Sequence, residues 1–137
     1  MKLNFKNDDF KIMQIADTQE GSNVSPDTLN LINTAIEREK PDLVVYSGDQ
    51  IWGKSSFGGN AAKVEKVLRA LTEPASSRKI PFAVCFGNHD RQVGLSNEEQ
   101  FNIYKKFDCF IGENSPGIDG CANQVIEICN GDTPAFL

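Results

Sequence analysis

Apolar positions along the 137-residue chain fall into short runs whose period changes from strand-like to helical and back. Leu3 to Lys6 and Phe10 to Ala16 read as two strands flanking Asn7-Asp8-Asp9, residue types that favour a hairpin turn. The second run, FKIMQIA, becomes apolar towards its end and stops at Asp17. Ser25-Pro26-Asp27 opens a helix with a capping hydroxyl, a proline at the first position and an acid in the first turn. Leu29, Ile32, Ala35 and Ile36 follow at helical spacing until Pro41 ends the segment. DLVVYS, residues 42–47, is a nearly continuous apolar strand of the kind buried on both faces, and it stops at Gly48-Asp49.

GKSSFGGN, residues 53–60, is a loop that its composition makes flexible. A second helix carries Val64, Val67, Leu68 and Leu71 on one face, Pro74 to Lys79 forms the return, and PFAVCF is a third strand ending at Gly87. Ser96-Asn97-Glu98-Glu99 is a capping-box pattern that opens a third helix towards Phe107. Beyond it, ANQVIEIC reads as a strand, Asn130-Gly131 as a hairpin turn and PAFL as the start of another strand.

The order strand, helix, strand, helix, strand over the first ninety residues implies an α/β fold: a mostly parallel sheet with helices on its faces, followed by the start of a β-hairpin. Ligands of such sheets gather outside the carboxyl ends of the strands. Asp17, Asp49 and Asn88-His89 each follow a strand's carboxyl end, so three separate stretches aim polar groups at one edge. His89 is the only histidine in the chain.

Composition narrows the partners. Hydrophobic content of 39% and charged content of 24% are those of an ordinary globular domain. A net charge of -5 argues against nucleic acid or an anionic membrane as the main partner. No apolar run approaches the roughly 20 residues of a spanning helix. No apolar segment of the signal-peptide kind follows Met1-Lys2, so a cytoplasmic location is expected. Cys85, Cys109, Cys121 and Cys129 lack C-x-x-C spacing and are expected as small buried hydrophobes in a reducing compartment.

Carboxylate and amide oxygens at one sheet edge suit hard or borderline divalent metals. Two such ions about 3.5–4 Å apart can share a carboxylate, activate water and clamp the oxygens of an in-line phosphoryl displacement. Asp17-Thr18-Gln19, Gly48-Asp49-Gln50 and Gly87-Asn88-His89-Asp90 resemble, in order and spacing, the D-x-H, G-D and G-N-H-[DE] blocks of the calcineurin-like metallophosphoesterases. The flanking FKIMQIADTQ, EKPDLVVYSGDQIWG and IPFAVCFGNHD are similar to a purple-acid-phosphatase-like branch of that superfamily.

The resemblance implies a phosphate-ester substrate and two divalent ions, manganese, iron or zinc. It implies that Asp17 binds the first metal, that Asp49 bridges both, and that Asn88 binds the second. His89 would meet the phosphate or the leaving group, with Asp90 orienting it. Gln19 stands where the D-x-H block has histidine and offers a neutral oxygen to a metal in its place. Trp52 occupies the position, three residues after the G-D aspartate, of a tyrosine ligand in purple acid phosphatases, and its indole N–H cannot ligate.

The later histidine and G-H-x-H blocks of the family are missing from the chain, which is therefore expected to be the N-terminal portion of one incomplete domain, with little or no activity alone. Two other readings stand beside the enzyme. One is a non-catalytic relic or binding module that keeps the fold. The other is a nucleotide-binding module, which the lack of G-x-G-x-x-G or G-x-x-x-x-G-K-[ST] disfavours.

Overall fold

The computed structural model describes residues 1–6 and 8–135. Strand β2 (Ile12–Ile15), β3 (Leu43–Tyr46) and β4 (Phe82–Val84) form one all-parallel sheet in the order β2-β3-β4. Helix α1 (Pro26–Glu39) connects β2 to β3; short α2 (Lys54–Phe57) and long α3 (Ala61–Ser76) connect β3 to β4. Helix α4 (Asn97–Tyr104) follows β4. This is the expected βαβαβ order, and the α/β architecture follows from it.

Burial explains the strand compositions. β3 and β4 are covered on both faces and are apolar throughout, whereas β2, an edge strand, alternates between exposed and half-buried positions. Ile32 and Ile36 of α1 and Val64, Val67, Leu68, Leu71 and Ala75 of α3 join the same core as Val44, Tyr46 and Phe82. Phe82 lies at the centre of an aromatic cluster, with its ring 5.7 Å from that of Tyr46 and 5.5 Å from that of Phe110. The buried Tyr46 hydroxyl donates to the Leu71 carbonyl at 2.9 Å, which ties the sheet to α3. Burial pushes the pKa of that hydroxyl well up, so it remains a donor.

Helix ends follow their sequence signals. Ser25 caps α1, with Pro26 at its first position, and the chain leaves it at Lys40 in a left-handed conformation. Asn60 caps α3, and Ser96 with Glu99 completes a capping box on α4.

Five expectations need correction. The β1 strand (Lys2–Asn4) forms no hairpin with β2. It pairs in parallel with β5 (Glu127–Asn130), and β6 (Thr133–Pro134) adds to that strand antiparallel, making a second three-stranded sheet. The expected turn includes Asn7, and the expected last strand includes Phe136 and Leu137; these three lie outside the described residues. The Pro74–Lys79 return begins later than predicted, because α3 runs through Pro74 to Ser76. The strand expected over ANQVIEIC spans only Glu127–Asn130, and α4 stops at Tyr104, short of Phe107.

The fifth correction bears on function. The 53–60 loop is anchored rather than loose: Phe57 is buried, and Gly59 N–H donates to the Val93 carbonyl at 3.0 Å. No helix among the described residues is long and apolar enough to cross a membrane.

Phe82→Ala is expected to cost about 3–5 kcal/mol, since the cavity would open where three aromatic rings meet. Urea unfolding checks this. A loss below 1 kcal/mol would mean that the ring is not the centre of the core.

Candidate metal and phosphate site

The loops that leave β2 and β3 remain hydrogen-bonded past the ends of their strands. Asp17 N–H donates to the Gly48 carbonyl at 3.1 Å, Gln19 N–H to the Asp49 carbonyl at 2.9 Å, and Glu20 N–H to the Gln50 carbonyl at 3.0 Å. To follow this path, Asp17, Gln19 and Asp49 all adopt left-handed backbone, with φ of 55°, 47° and 54°. Such values are uncommon for residues with a side chain, and they cluster at functional sites.

The end of β4 joins the same edge. A Cβ on Gly48, itself at φ 103°, would lie 2.6 Å from the Gly87 nitrogen, and a Cβ on Gly87 would collide with the Asp49 carboxylate. Glycine at both positions is what lets the G-D and G-N-H-D turns touch. His89 N–H then donates to Asp49 Oδ1 at 2.7 Å, which fixes the carboxylate that stands between the two turns.

Asp90 holds this arrangement together. Its Oδ2 accepts from Gly87 N–H at 2.7 Å and from Asp49 N–H at 2.8 Å, and its Oδ1 accepts from Gln50 N–H at 3.0 Å and Ile51 N–H at 3.4 Å. The residue is only 2% exposed. Burial pushes its pKa above the ordinary aspartate range, against the backbone donors from Gly87, Asp49, Ile51 and Gln50, which pull it down.

The resemblance casts Asp90 as the residue that orients His89, but its carboxylate is spent on these four amides. The hydrogen-bond partner of the His89 ring is Gln92, whose Oε1 lies 3.0 Å from Nδ1. That contact leaves Nε2 as the ring nitrogen available to a ligand. The Trp52 ring stands edge-on to the imidazole, with centroids 6.1 Å apart.

The structure thus brings Asp17, Asp49, His89 and Asp90 to one sheet edge. Asn88 lies in the exposed turn between Gly87 and His89, and the side chain of Gln19 is also exposed. Three further residues shape the edge without having stood out in the sequence. Buried Gln50 donates through Nε2 to the Gly48 carbonyl at 2.8 Å and to the Ile15 carbonyl at 3.2 Å. Glu20 accepts from Ser25 N–H at 2.9 Å, which connects the site loop to the cap of α1. Gln92 is the third. An i, i+3 spacing from His89 was the only signal for it.

As a donor set, Asp17 and Asp49 with the amide oxygens of Gln19 and Asn88 are all oxygen. Among the described residues no three of His, Cys, Asp and Glu come together as a metal-binding group. Oxygen donors of this kind suit a hard divalent cation.

A family model of the calcineurin-like phosphoesterases matches residues 10–134. The chain belongs to that family. The match agrees with the three blocks and with the parallel sheet that carries them. This calcineurin-like chain is 30% identical to the "Probable inactive purple acid phosphatase 29" of Arabidopsis thaliana, over 93% of its own length and 37% of the relative's. It is 30% identical to "Phosphatase DCR2" of Saccharomyces cerevisiae, over 90% of its length and 24% of the relative's. It is 39% identical to "Phosphodiesterase YaeI" of Escherichia coli, over 62% of its length and 29% of the relative's. The chain thus spans about a third or less of these curated relatives. No solved structure matches it significantly.

Asp90→Asn keeps the size of the side chain but replaces one acceptor oxygen by a donor that faces backbone N–H groups. It is expected to cost about 2–3 kcal/mol and to speed hydrogen exchange at Gly87, Asp49, Gln50 and Ile51 specifically. In the unsubstituted chain, the amide resonances of Gly87 and Asp49 should titrate with a midpoint above the ordinary aspartate value of about 3.9. The sign follows from the raised folded-state pKa: between the two pKa values the folded chain holds more protons than the unfolded one. This group therefore makes stability fall as pH rises through that window. Uniform exchange rates in Asp90→Asn, or a midpoint below 3.9, would contradict the clamp or its burial.

Proposed function

We propose that residues 1–137 form part of a single calcineurin-like domain that hydrolyses phosphate esters with the help of divalent metal. The observation that carries this reading is the convergence of Asp17, Asp49 and the Asn88-His89 turn at the carboxyl ends of three adjacent parallel strands. Family membership supports hydrolase chemistry. Phosphatase and phosphodiesterase names among the relatives support a phosphate ester as substrate.

Asp17, Asp49 and Asn88 would hold divalent metal, and Gln19 would add a neutral oxygen. A divalent ion there supplies charge to polarise the phosphoryl oxygens and to activate water. Manganese suits the carboxylate and amide oxygens of these four residues. The remaining work falls to the chain's own groups. Asp49 is held in place by the His89 amide, so the carboxylate is positioned before any ligand arrives. His89, steadied by Gln92 at Nδ1, offers Nε2 to the phosphate or to the leaving alcohol, where it can donate a proton. Asp90 positions the turns and does not touch the substrate. All four cysteines are free thiols, which suits a reducing compartment such as the cytoplasm.

A second reading is a fold that binds without catalysing. It draws support from the lack of a three-residue His, Cys, Asp or Glu group among the described residues and from the word "inactive" in the names of several relatives.

Calorimetric titration with Mn²⁺ separates the two. The 137-residue chain is expected to bind manganese weakly, to lose it in Asp49→Ala and to keep it in His89→Ala. Turnover of p-nitrophenyl phosphate by the chain alone should be low. Where turnover is measurable, His89→Ala should cut it by about 10²–10⁴ with the metal still bound. Equal loss of metal in both variants would make the imidazole a ligand. No binding at all would favour the second reading.

A further inference from the structure

Trp52 is the only tryptophan of the chain and stands half exposed, at 50%, on backbone that is anything but loose. Its N–H donates to the Glu20 carbonyl at 3.0 Å. Ile51 before it is fully buried and bridges to Glu20, whose own carboxylate is tied to the start of α1. On the other side, the segment after Gly53 is pinned by buried Phe57. A large aromatic side chain is thus held out towards solvent on a fixed stalk, with its ring edge-on to His89 at 6.1 Å between centroids.

We infer that Trp52 is a specificity-determining residue that stacks on the alcohol portion of the phosphate ester, selecting esters whose leaving group carries a flat aromatic ring. The inference rests on the proposed phosphoesterase reading, in which the imidazole meets the phosphate or its leaving oxygen. Whatever is esterified to that phosphate must then pass beside the neighbouring indole. A fixed indole face favours a flat ring over a flexible chain, because stacking orders few rotatable bonds and the aromatic surface leaves water on both partners. Tryptophan cannot replace the metal-ligating tyrosine expected at this position, so its contribution lies in packing and not in coordination. Two sources share the required chemistry: aryl phosphates, with the ring on the ester oxygen, and nucleoside monophosphates, with the ring beyond a sugar.

The test uses calorimetry on the chain with saturating Mg²⁺, with two matched pairs of ligands: phenyl phosphate against glycerol 2-phosphate, and adenosine monophosphate against ribose 5-phosphate. The aromatic member of at least one pair should bind about tenfold or more tightly than its partner. It should also quench the tryptophan fluorescence saturably, a signal that comes from Trp52 alone. A preference within the first pair alone identifies aryl esters; a preference within the second alone identifies nucleotides. In Trp52→Ala the ratio within the preferred pair should fall to near one, and in Trp52→Phe most of it should return. Equal affinities within both pairs, or a ratio unchanged in Trp52→Ala, would overturn the role of Trp52 while leaving the phosphoesterase reading intact. Failure of inorganic phosphate and of all four esters to bind would instead strike the phosphoesterase reading itself, and this inference with it.

Discussion

Every feature of the candidate site depends on one buried carboxylate accepting four backbone N–H groups from two turns about 40 residues apart in sequence. Withdrawing the Asp90 charge from water is costly, and the raised pKa is the sign that the cost is not fully offset. What the clamp achieves is geometric. The N–H groups of Gly87, Asp49, Gln50 and Ile51 all converge inside the structure and would otherwise be buried without partners. A single residue with two acceptor oxygens satisfies all of them and fixes the distance between the ends of β3 and β4. The glycines at 48 and 87 make that distance sterically possible, and Asp90 makes it definite.

A second set of contacts does the same between β2 and β3. Gln50 donates to carbonyls on both sides of the gap, Thr18 Oγ1 donates to the Gln50 carbonyl at 2.7 Å, and the backbone ladder continues as far as Trp52. Through Glu20 the ladder reaches the N-terminal cap of α1, and through Phe57 and Gly59 it reaches the 3₁₀ turn Asp90–Val93. The polar edge is therefore rigid because it is cross-linked on three sides. This is the kind of support that a preorganised site needs, since reacting groups displaced by an ångström lose much of their effect.

The parts of this arrangement that were legible in the sequence are the local ones. Apolar runs ending at Asp17, Asp49 and Gly87 located three parallel strands and their carboxyl edge, and Ser25, Asn60 and Ser96 begin helices for reasons visible within four residues. What could not be seen depends on partners far along the chain. The Asn7-Asp8-Asp9 segment carries turn residues, yet a turn signal cannot say whether the strands it separates will pair with each other. β1 finds its partner in β5, more than 120 residues on. The resemblance paired Asp90 with His89, but the Asp90 carboxylate faces backbone N–H groups and the ring meets Gln92. Phe57 was the neglected clue in the 53–60 segment: one large apolar residue among glycines and serines is enough to pin a loop when a core lies beneath it.

The balance between a working site and a relic turns on strain. Left-handed backbone costs a residue with a side chain about 1 kcal/mol or more, and here it falls on Asp17, Gln19 and Asp49. These are three of the four residues whose oxygens would face a metal. A turn needed only to reverse the chain could meet the same requirement with glycine at no such cost, and aspartate meets it more readily than glutamine does. In this chain the glycines are spent elsewhere, at 48 and 87, where backbone approaches backbone, and two aspartates and a glutamine occupy the strained positions instead. Gln19 is the position that the turn alone explains least, because glutamine lacks the short polar side chain that eases aspartate into left-handed backbone. With carboxylates and amides as its oxygen donors, such an edge would suit harder, oxygen-seeking cations.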